Sequence, residues 1–251
     1  MKSNKEIELL ESKYLAKINA AIFANQDNII SNLESMNKIL EFWINKPHDD
    51  GYDVGAERVI YAVLQRASDL GEPNSCPVSS DLFFENNEAY IHIDLKTAQP
   101  DNNLSDHWRI PIGKNQTSYE HDIKPKGGIA RPFKPSLPKY YGEKPTLTYF
   151  ITILYSRISN IFKVVNLNVS CMPNGQLSNI YNFDPLGPGK NPDDDKARFT
   201  SNECYLFKTL EDNQNNMDKK KRVIVNYINV KAVMKEFKQR FDKFLSSIEY
   251  F

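Results

Sequence analysis

Hydrophobic positions in the N-terminal part of the chain repeat with helical spacing. Two sets recur at steps of three and four residues, so each set lies on one face of a helix. They are Ile7, Leu10, Tyr14, Ile18 and Ile22, and then Ile29, Leu33, Met36, Leu40 and Trp43. Lys46-Pro47 ends this helical part, residues 1–46, since the position before a proline disfavours helix. Another helix is predicted from about residue 54 to 68, with Gly71 as its stop.

After Pro77 the pattern becomes that of strands. Residues 82–84 and 89–95 are rich in apolar and β-branched side chains, and the polar stretch 85–88 between them predicts a β-hairpin. Further strands are predicted at 146–155, 161–169 and 222–228. Between them, residues 98–145 look irregular, with five prolines from Pro125 to Pro145. A structureless stretch of that length is usually functional.

The C-terminal residues 230–251 predict a helix with one apolar stripe. Its members are Val230, Val233, Met234, Phe237, Phe241, Phe244, Leu245 and Ile248. Residues 184–195 are predicted to form an exposed loop. Helices, strands, a long loop, strands and a final helix together predict a mixed α/β or α+β fold in a single domain, residues 1–251.

Composition narrows the class of protein. The chain has 251 residues, with 40% hydrophobic and 25% charged, which excludes wholesale disorder, collagen and coiled coils. No apolar run is long enough to cross a bilayer, and the polar N-terminus lacks the apolar core of a signal peptide. Three cysteines do not form a disulfide framework. We therefore expect a cytoplasmic protein with no membrane partner.

The 32 basic residues balance the 32 acidic ones, but their distribution is uneven. Residues 107–144 hold eight Lys or Arg against three acids, and residues 218–251 hold nine against four. Basic groups neutralise phosphates, and short polar side chains read base edges. The predicted DNA contacts are Lys114, Asn115, Gln116, Thr117, Ser118, Tyr119, Lys124, Lys126, Arg131 and Lys134. A solvated, proline-stiffened loop remains the alternative, and the basic run 219–222 is either a phosphate contact or a solvated turn.

Two acids and a lysine, Asp81, Asp94 and Lys96, lie in or next to the predicted hairpin. Since side chains alternate along a strand, Asp94 and Lys96 share a face while Ile93 and Leu95 point to the other. If Asp81 begins the partner strand, its carboxylate can approach that of Asp94. Two carboxylates and the carbonyl of Leu95 are hard oxygen ligands, which suit Mg²⁺. Lys96 could then orient a water molecule or stabilise charge on a phosphate.

This arrangement resembles the PD-(D/E)xK nuclease superfamily, in particular its type II restriction endonucleases. Asp81 matches the first acid, and Asp94-Leu95-Lys96 match the D/E-x-K triplet 13 positions further on. Ser80 stands where the pattern has proline, and the match covers only residues 54–97, the predicted catalytic core. Many members add a glutamate from the preceding helix, which Glu57 matches.

The resemblance implies a mixed central sheet flanked by helices and Mg²⁺-dependent hydrolysis of double-stranded DNA at a short palindrome. It also implies a homodimer, and a DNA methyltransferase gene is expected beside this one. Asp81, Asp94, Lys96 and Glu57 would be catalytic, with Asp81, Asp94 and the Leu95 carbonyl on the metal. Residues 98–145 would contact the DNA.

Two alternatives remain open. The same fold could serve a junction resolvase or repair nuclease, or the chain could be a non-catalytic DNA-binding α/β protein. In the last case Asp94 and Lys96 form only a half-exposed surface ion pair, worth ~0–1 kcal/mol. Asp81 would then be a turn residue, and Glu57 would be placed by the helix dipole. A second triplet, Asp122-Ile123-Lys124, is rejected because no apolar strand flanks it.

Overall fold

The computed structural model describes most of the chain. The described residues are 1–36, 50–74, 80–100, 103–123, 129–158, 161–182, 185–189, 196–201, 204–210, 221–233, 238–243 and 246. Leu40, Trp43, Lys124 and Lys126, on which several predictions depend, lie outside them.

The three longest described helices lie within the first 64 residues, as the spacing predicts, and a single-turn helix follows later in the chain. They are α1 (Asn4–Ala24), α2 (Gln26–Glu34), α3 (Asp50–Leu64) and the single-turn α4 (Ser178–Tyr181). The N-terminus of α1 is fixed by a capping box, in which Ser3 and Glu6 satisfy each other's backbone N–H groups. The buried face of α3 includes Tyr52, so this helix begins four residues before the predicted start.

Twelve strands follow in the described part of the chain. They are β1 (Glu72–Pro73), β2 (Leu82–Glu85), β3 (Tyr90–Ala98), β4 (Arg109–Ile112), β5 (His121–Ile123), β6 (Arg131–Phe133), β7 (Tyr140–Tyr141), β8 (Lys144–Ile158), β9 (Ile161–Met172), β10 (Leu186–Pro188), β11 (Ala197–Thr200) and β12 (Val223–Ile228). The predicted hairpin and the three later strands are confirmed, and β8 and β9 are longer than predicted.

The central sheet is mixed, which confirms the predicted architecture. Strands β1, β2, β3, β8, β9 and β12 lie side by side in that order, and the short β7 also pairs with β8. All neighbours are antiparallel except β3 and β8, which run parallel with Asp94 opposite Phe150. The long connection needed between parallel strands is supplied by residues 99–143.

Residues 98–145 contain more structure than the sequence predicts. Strand β4 joins β11 and β10 in a three-stranded sheet, and β5 pairs with β6. The prediction of an irregular loop was wrong. These strands were not recognised in the sequence because they are only three or four residues long. Their apolar side chains, such as Ile110 and Ile112, alternate over too short a distance to give a clear pattern.

Three other assignments differ from prediction. The predicted exposed loop 184–195 contains β10, whose Leu186 is buried against the second core. Gly71 follows a 3₁₀ turn, Ser68–Leu70, and does not cap α3. Its φ of 110° and its contact with the Glu85 backbone both require glycine. The C-terminal helix does not begin at Val230, because Val230–Ala232 form a 3₁₀ turn while the preceding Asn229 N–H still bonds Val165 O at 2.7 Å. Helix is present at 238–243, where Phe241 is buried.

The central sheet has a core on each face. Helices α1, α2 and α3 cover one face, where Ile91, Ile93 and Leu95 of β3 pack against the helical apolar stripes. The opposite face packs against β4, β10 and β11 through residues such as Phe150 and Phe199. Among the described helices, none is long and apolar enough to cross a bilayer.

A buried ion cluster fastens α1 to the sheet. The guanidinium of Arg222 is 0% exposed and donates to Glu8 at 2.9 Å, to Glu11 at 2.7 Å and to the Tyr181 hydroxyl at 2.8 Å. Burial raises the pKa of Glu11 to about 7, although Arg222 acts to lower it. Arg222 is therefore a structural residue. It is neither the phosphate contact nor part of the solvated turn that were the two alternatives for residues 219–222.

Replacing Arg222 should strongly destabilise the protein. In Arg222→Met two carboxylates lose their buried cation, and breaking such a pair costs about 3–5 kcal/mol. Urea unfolding measures the difference. The matched control is Lys231→Met at an exposed cation, which should change stability by less than about 0.5 kcal/mol. Equal effects of the two substitutions would contradict the assignment.

Candidate active site

The hairpin of β2 and β3 brings Asp81 next to Asp94. Leu82 pairs with Ile93, so the residue before Leu82 lies across from the residue after Ile93. The carboxylate of Asp81 accepts a hydrogen bond from the Leu95 N–H at 2.6 Å. The two carboxylates are therefore held together by strand register and by a backbone contact.

Asp94 and Lys96 form an ion pair on the face of β3 that points away from the helices. The Asp94 side chain is only 1% exposed, whereas the Lys96 side chain reaches solvent. The alternative of a half-exposed surface pair therefore does not describe Asp94. Gln116 also donates from Nε2 to Asp94 Oδ1 at 3.0 Å.

Burial makes the ionised form of Asp94 costly. It raises the pKa of this carboxyl to about 7, against the opposing effect of Lys96, and the neighbouring Asp81 raises it further. Among the described residues, no group donates a well-aligned hydrogen bond to Asp94 Oδ2, although Lys96 lies in ion-pair contact with it. The two carboxylates of Asp81 and Asp94 are therefore only partly neutralised by the single positive charge of Lys96.

Glu57 lies in the same electrostatic environment. Partial burial raises its pKa, and the charges of Asp81 and Asp53 raise it further, while Lys96 lowers it. Glu57 follows Ala56 of the buried face of α3, and its interaction with Asp81 and Lys96 shows that it lies near the hairpin. The four residues predicted to be catalytic thus form one connected cluster, in which Glu57 and Asp94 each interact with Asp81 and with Lys96.

One contact at this site was missed by sequence reasoning. The Thr97 hydroxyl donates to a carboxylate oxygen of Asp53 and so links the end of the D-x-K strand to α3. Asp53 precedes Glu57 by one helical turn, which is the signal that could have indicated it.

These residues fit a divalent cation. Two crowded carboxylates, one with a raised pKa and an oxygen without an aligned donor, would be relieved by positive charge. In the described part of the chain no three His, Cys, Asp or Glu side chains cluster closely enough to hold a metal. The donor set is therefore incomplete without backbone or water oxygens, which suits Mg²⁺ since this ion keeps several waters.

Three of the predicted DNA contacts are wrong, because their side chains are buried and already bonded. Thr117 Oγ1 accepts from the Tyr119 N–H at 2.9 Å, and Ser118 Oγ accepts from the Gly175 N–H at 3.0 Å. The Tyr119 hydroxyl donates to Asn182 O at 2.7 Å. Polarity in the sequence did not distinguish these internal contacts from surface ones.

The other predicted contacts divide into two groups. Asn115 and Lys134 are exposed, and Lys114 and Arg131 are partly exposed, so all four stay predictions. Gln116 is partly buried and donates to Asp94, so its side chain is tied to the cluster of Asp81, Asp94 and Lys96.

With this geometry established, comparison with known proteins identifies the family. Residues 3–160 match the model of the N-terminal domain of the type II restriction enzyme MwoI, and residues 164–223 match that of its central domain. The chain belongs to this restriction enzyme family. It is a site-specific restriction endonuclease, a hydrolase that cleaves DNA. This activity excludes the non-catalytic alternative.

Two solved structures have the same fold. The restriction endonuclease BglI bound to its DNA recognition sequence is 17% identical, with a TM-score of 0.66 over 88% of this chain and 91% of that one. Tetrameric SfiI bound to cognate DNA is 14% identical, with a TM-score of 0.62 over 80% of this chain and 81% of the other. A comparison with curated protein sequences gave no match.

Removing the buried charge of Asp94 should stabilise the metal-free enzyme at high pH. A carboxyl whose pKa rises from 3.8 to about 7 on folding binds its proton more tightly when folded. Stability is therefore lost as the pH rises between these two values. In EDTA, Asp94→Asn should melt at a higher temperature than the wild type at about pH 8, and the difference should shrink towards about pH 4.

The exposed residue Asp122 supplies the control for this measurement. Asp122→Asn should leave the dependence of melting temperature on pH unchanged. A lower melting temperature of Asp94→Asn at about pH 8 would mean that the ion pair with Lys96 outweighs the cost of burial.

Proposed function

We propose that this restriction enzyme hydrolyses the phosphodiester bonds of double-stranded DNA with Mg²⁺, using Asp81, Asp94 and Lys96. The single observation that carries the proposal is the cluster at the β2–β3 hairpin, where two carboxylates meet beside a lysine. The carboxylates and the Leu95 carbonyl would hold the ion. Mg²⁺ at this position would supply positive charge that polarises the phosphate and a water molecule.

Lys96 acts on the substrate side of the cluster. Its ammonium is fixed by Asp94 on one side and reaches solvent on the other. From this position it donates hydrogen bonds to the attacking water or to an oxygen of the scissile phosphate. Charge that develops on the phosphate is thereby stabilised without movement of the side chain.

Glu57 is proposed as an auxiliary acid. It shares the electrostatic field of Asp81 and Lys96, and burial raises its pKa, so it can accept a proton near neutral pH more readily than an exposed glutamate. Its place on α3 puts it on the flank of the cluster.

DNA is proposed to bind beside the 3₁₀ turn Lys114–Gln116. The contact between Gln116 and Asp94 places Lys114 and Asn115 next to the catalytic cluster. A phosphate held by this turn therefore lies close to the carboxylates. Arg131 and Lys134 are proposed to extend the contact, together with Lys124 and Lys126 from outside the described residues.

The recognition sequence is proposed to be a short palindrome cut by a homodimer, since two-fold protein symmetry matches a two-fold DNA site. The tetramer described for SfiI is the principal alternative assembly. We propose that each chain is one endonuclease domain, because β8 and β9 pair in one sheet across the boundary between the two matched domain models. A DNA methyltransferase gene is expected nearby.

Lys96→Ala should abolish cleavage and leave DNA binding largely intact. Loss of its hydrogen bonds to the water or phosphate should slow cutting by at least about 100-fold. The measurement is fragment formation from long duplex DNA, with Mg²⁺ and with EDTA, beside a gel-shift assay for binding.

The proposal is supported if the wild-type enzyme forms discrete fragments with Mg²⁺ and forms none with EDTA. Smears or cuts only at branched DNA would indicate the junction resolvase or repair alternative, and wild-type cleavage by Lys96→Ala would show that the site assignment is wrong.

Glu57→Gln should slow cleavage less than Lys96→Ala does. An auxiliary acid next to the metal ligands contributes about 10-fold to activity. Single-turnover rates with Mg²⁺ measure the effect. The control is Glu72→Gln, an exposed glutamate outside the cluster, and equal rates for the two variants would limit Glu57 to a structural role.

A further inference from the structure

Gln116 is held with its amide in one orientation. Its Oε1 accepts a hydrogen bond from the Gly113 N–H at 2.8 Å, which assigns the oxygen to that side. The Nε2 group therefore faces Asp94 Oδ1, at 3.0 Å, as a donor. The amide could not rotate by half a turn without placing two oxygens against each other.

Asp94 is consequently held from two directions. Gln116 bonds one carboxylate oxygen, and Lys96 lies against the other. Because the side chain is 1% exposed, water cannot replace Gln116 without local rearrangement. Rotation of the carboxylate would break at least one of the two contacts.

The turn that carries Gln116 is itself anchored. The Ser136 N–H donates to Lys114 O at 2.8 Å, and the Gln116 N–H closes the turn on Gly113 O at 3.1 Å. Immediately after it, the buried side chains of Ser118 and Tyr119 are bonded to residues between β9 and β10. Gln116 is thus supported by the layer that lies opposite the helices.

We propose that Gln116 is a positioning residue that fixes the Asp94 carboxylate for metal binding. This inference rests on the proposed role of Asp94 as a Mg²⁺ ligand. A neutral donor on Oδ1 favours the ionised carboxylate and leaves Oδ2 directed towards Lys96 and the substrate side. Gln116 touches neither the phosphate nor the water in this assignment and acts only through Asp94.

Gln116→Met tests the proposal, because methionine has a similar length and lacks the donor. Loss of such a supporting hydrogen bond lowers metal affinity or activity by about 10- to 100-fold. We expect weaker binding of Mn²⁺, counted as free ion by electron paramagnetic resonance in the absence of DNA. We also expect a lower kcat on plasmid DNA with an unchanged KM for the DNA.

A matched control is available in Gln99, another partly buried glutamine. Its Nε2 donates to the Tyr155 hydroxyl at 2.6 Å and not to a carboxylate. Gln99→Met should therefore bind Mn²⁺ and cleave DNA like the wild type. Melting temperatures establish that each variant is folded, and Gln116→Asn, which keeps an amide but is shorter, replaces Gln116→Met if the latter does not fold.

The outcomes separate this inference from the proposed function. Weaker Mn²⁺ binding and a lower kcat in Gln116→Met, with Gln99→Met unchanged, support it. Wild-type Mn²⁺ affinity and kcat in a folded Gln116 variant, while Lys96→Ala is inactive, would overturn the positioning role alone. Full activity of Lys96→Ala would overturn the proposed catalytic site and this inference with it.

Discussion

The two faces of strand β3 lie in different environments, and alternate side chains of the strand point to each face. Ile91, Ile93 and Leu95 face the helices and belong to the larger core, while Asp94 and Lys96 face the other way. The sheet bonds β3 on both sides, to β2 and to β8, so the strand cannot rotate to expose its acid. The charge of Asp94 is therefore buried by the fold, and the arrangement of the site follows from that constraint.

Burial of the Asp94 carboxylate costs free energy, and the neighbouring groups compensate this cost only in part. At Asp94 the nearby lysine does not fully offset desolvation and the second carboxylate. Burial also raises the pKa of Glu11 beside Arg222 to about 7, but there one fully buried guanidinium bonds two glutamates and a tyrosine hydroxyl, whereas Lys96 is partly exposed. An undercompensated carboxylate beside a solvent-reaching lysine suits a site that receives a cation and a phosphate.

The layer that packs on the face of the sheet opposite the helices also reaches the candidate active site. It contains β4, β10 and β11, and it extends through the turn at Lys114–Gln116 to the catalytic carboxylate. One of the two segments with an excess of basic residues, 107–144, is therefore joined directly to the cluster. With the proposed DNA contacts and catalytic residues, this connection would place DNA contact and bond cleavage within one structural unit.

The sequence by itself determined the N-terminal helices, the hairpin and the candidate catalytic residues, because each depends on short-range periodicity or spacing. Asp81, Asp94 and Lys96 could be recognised since a hairpin brings residues 13 positions apart together through local register. Only the tertiary structure decided that Thr117, Ser118 and Tyr119 are internal and that Gln116 reaches Asp94. It also decided that Arg222 is structural. Apart from the local bond between Thr117 and Tyr119, those assignments depend on contacts between residues 22 to more than 200 positions apart. Local pattern carries no information about which polar side chains such contacts bury.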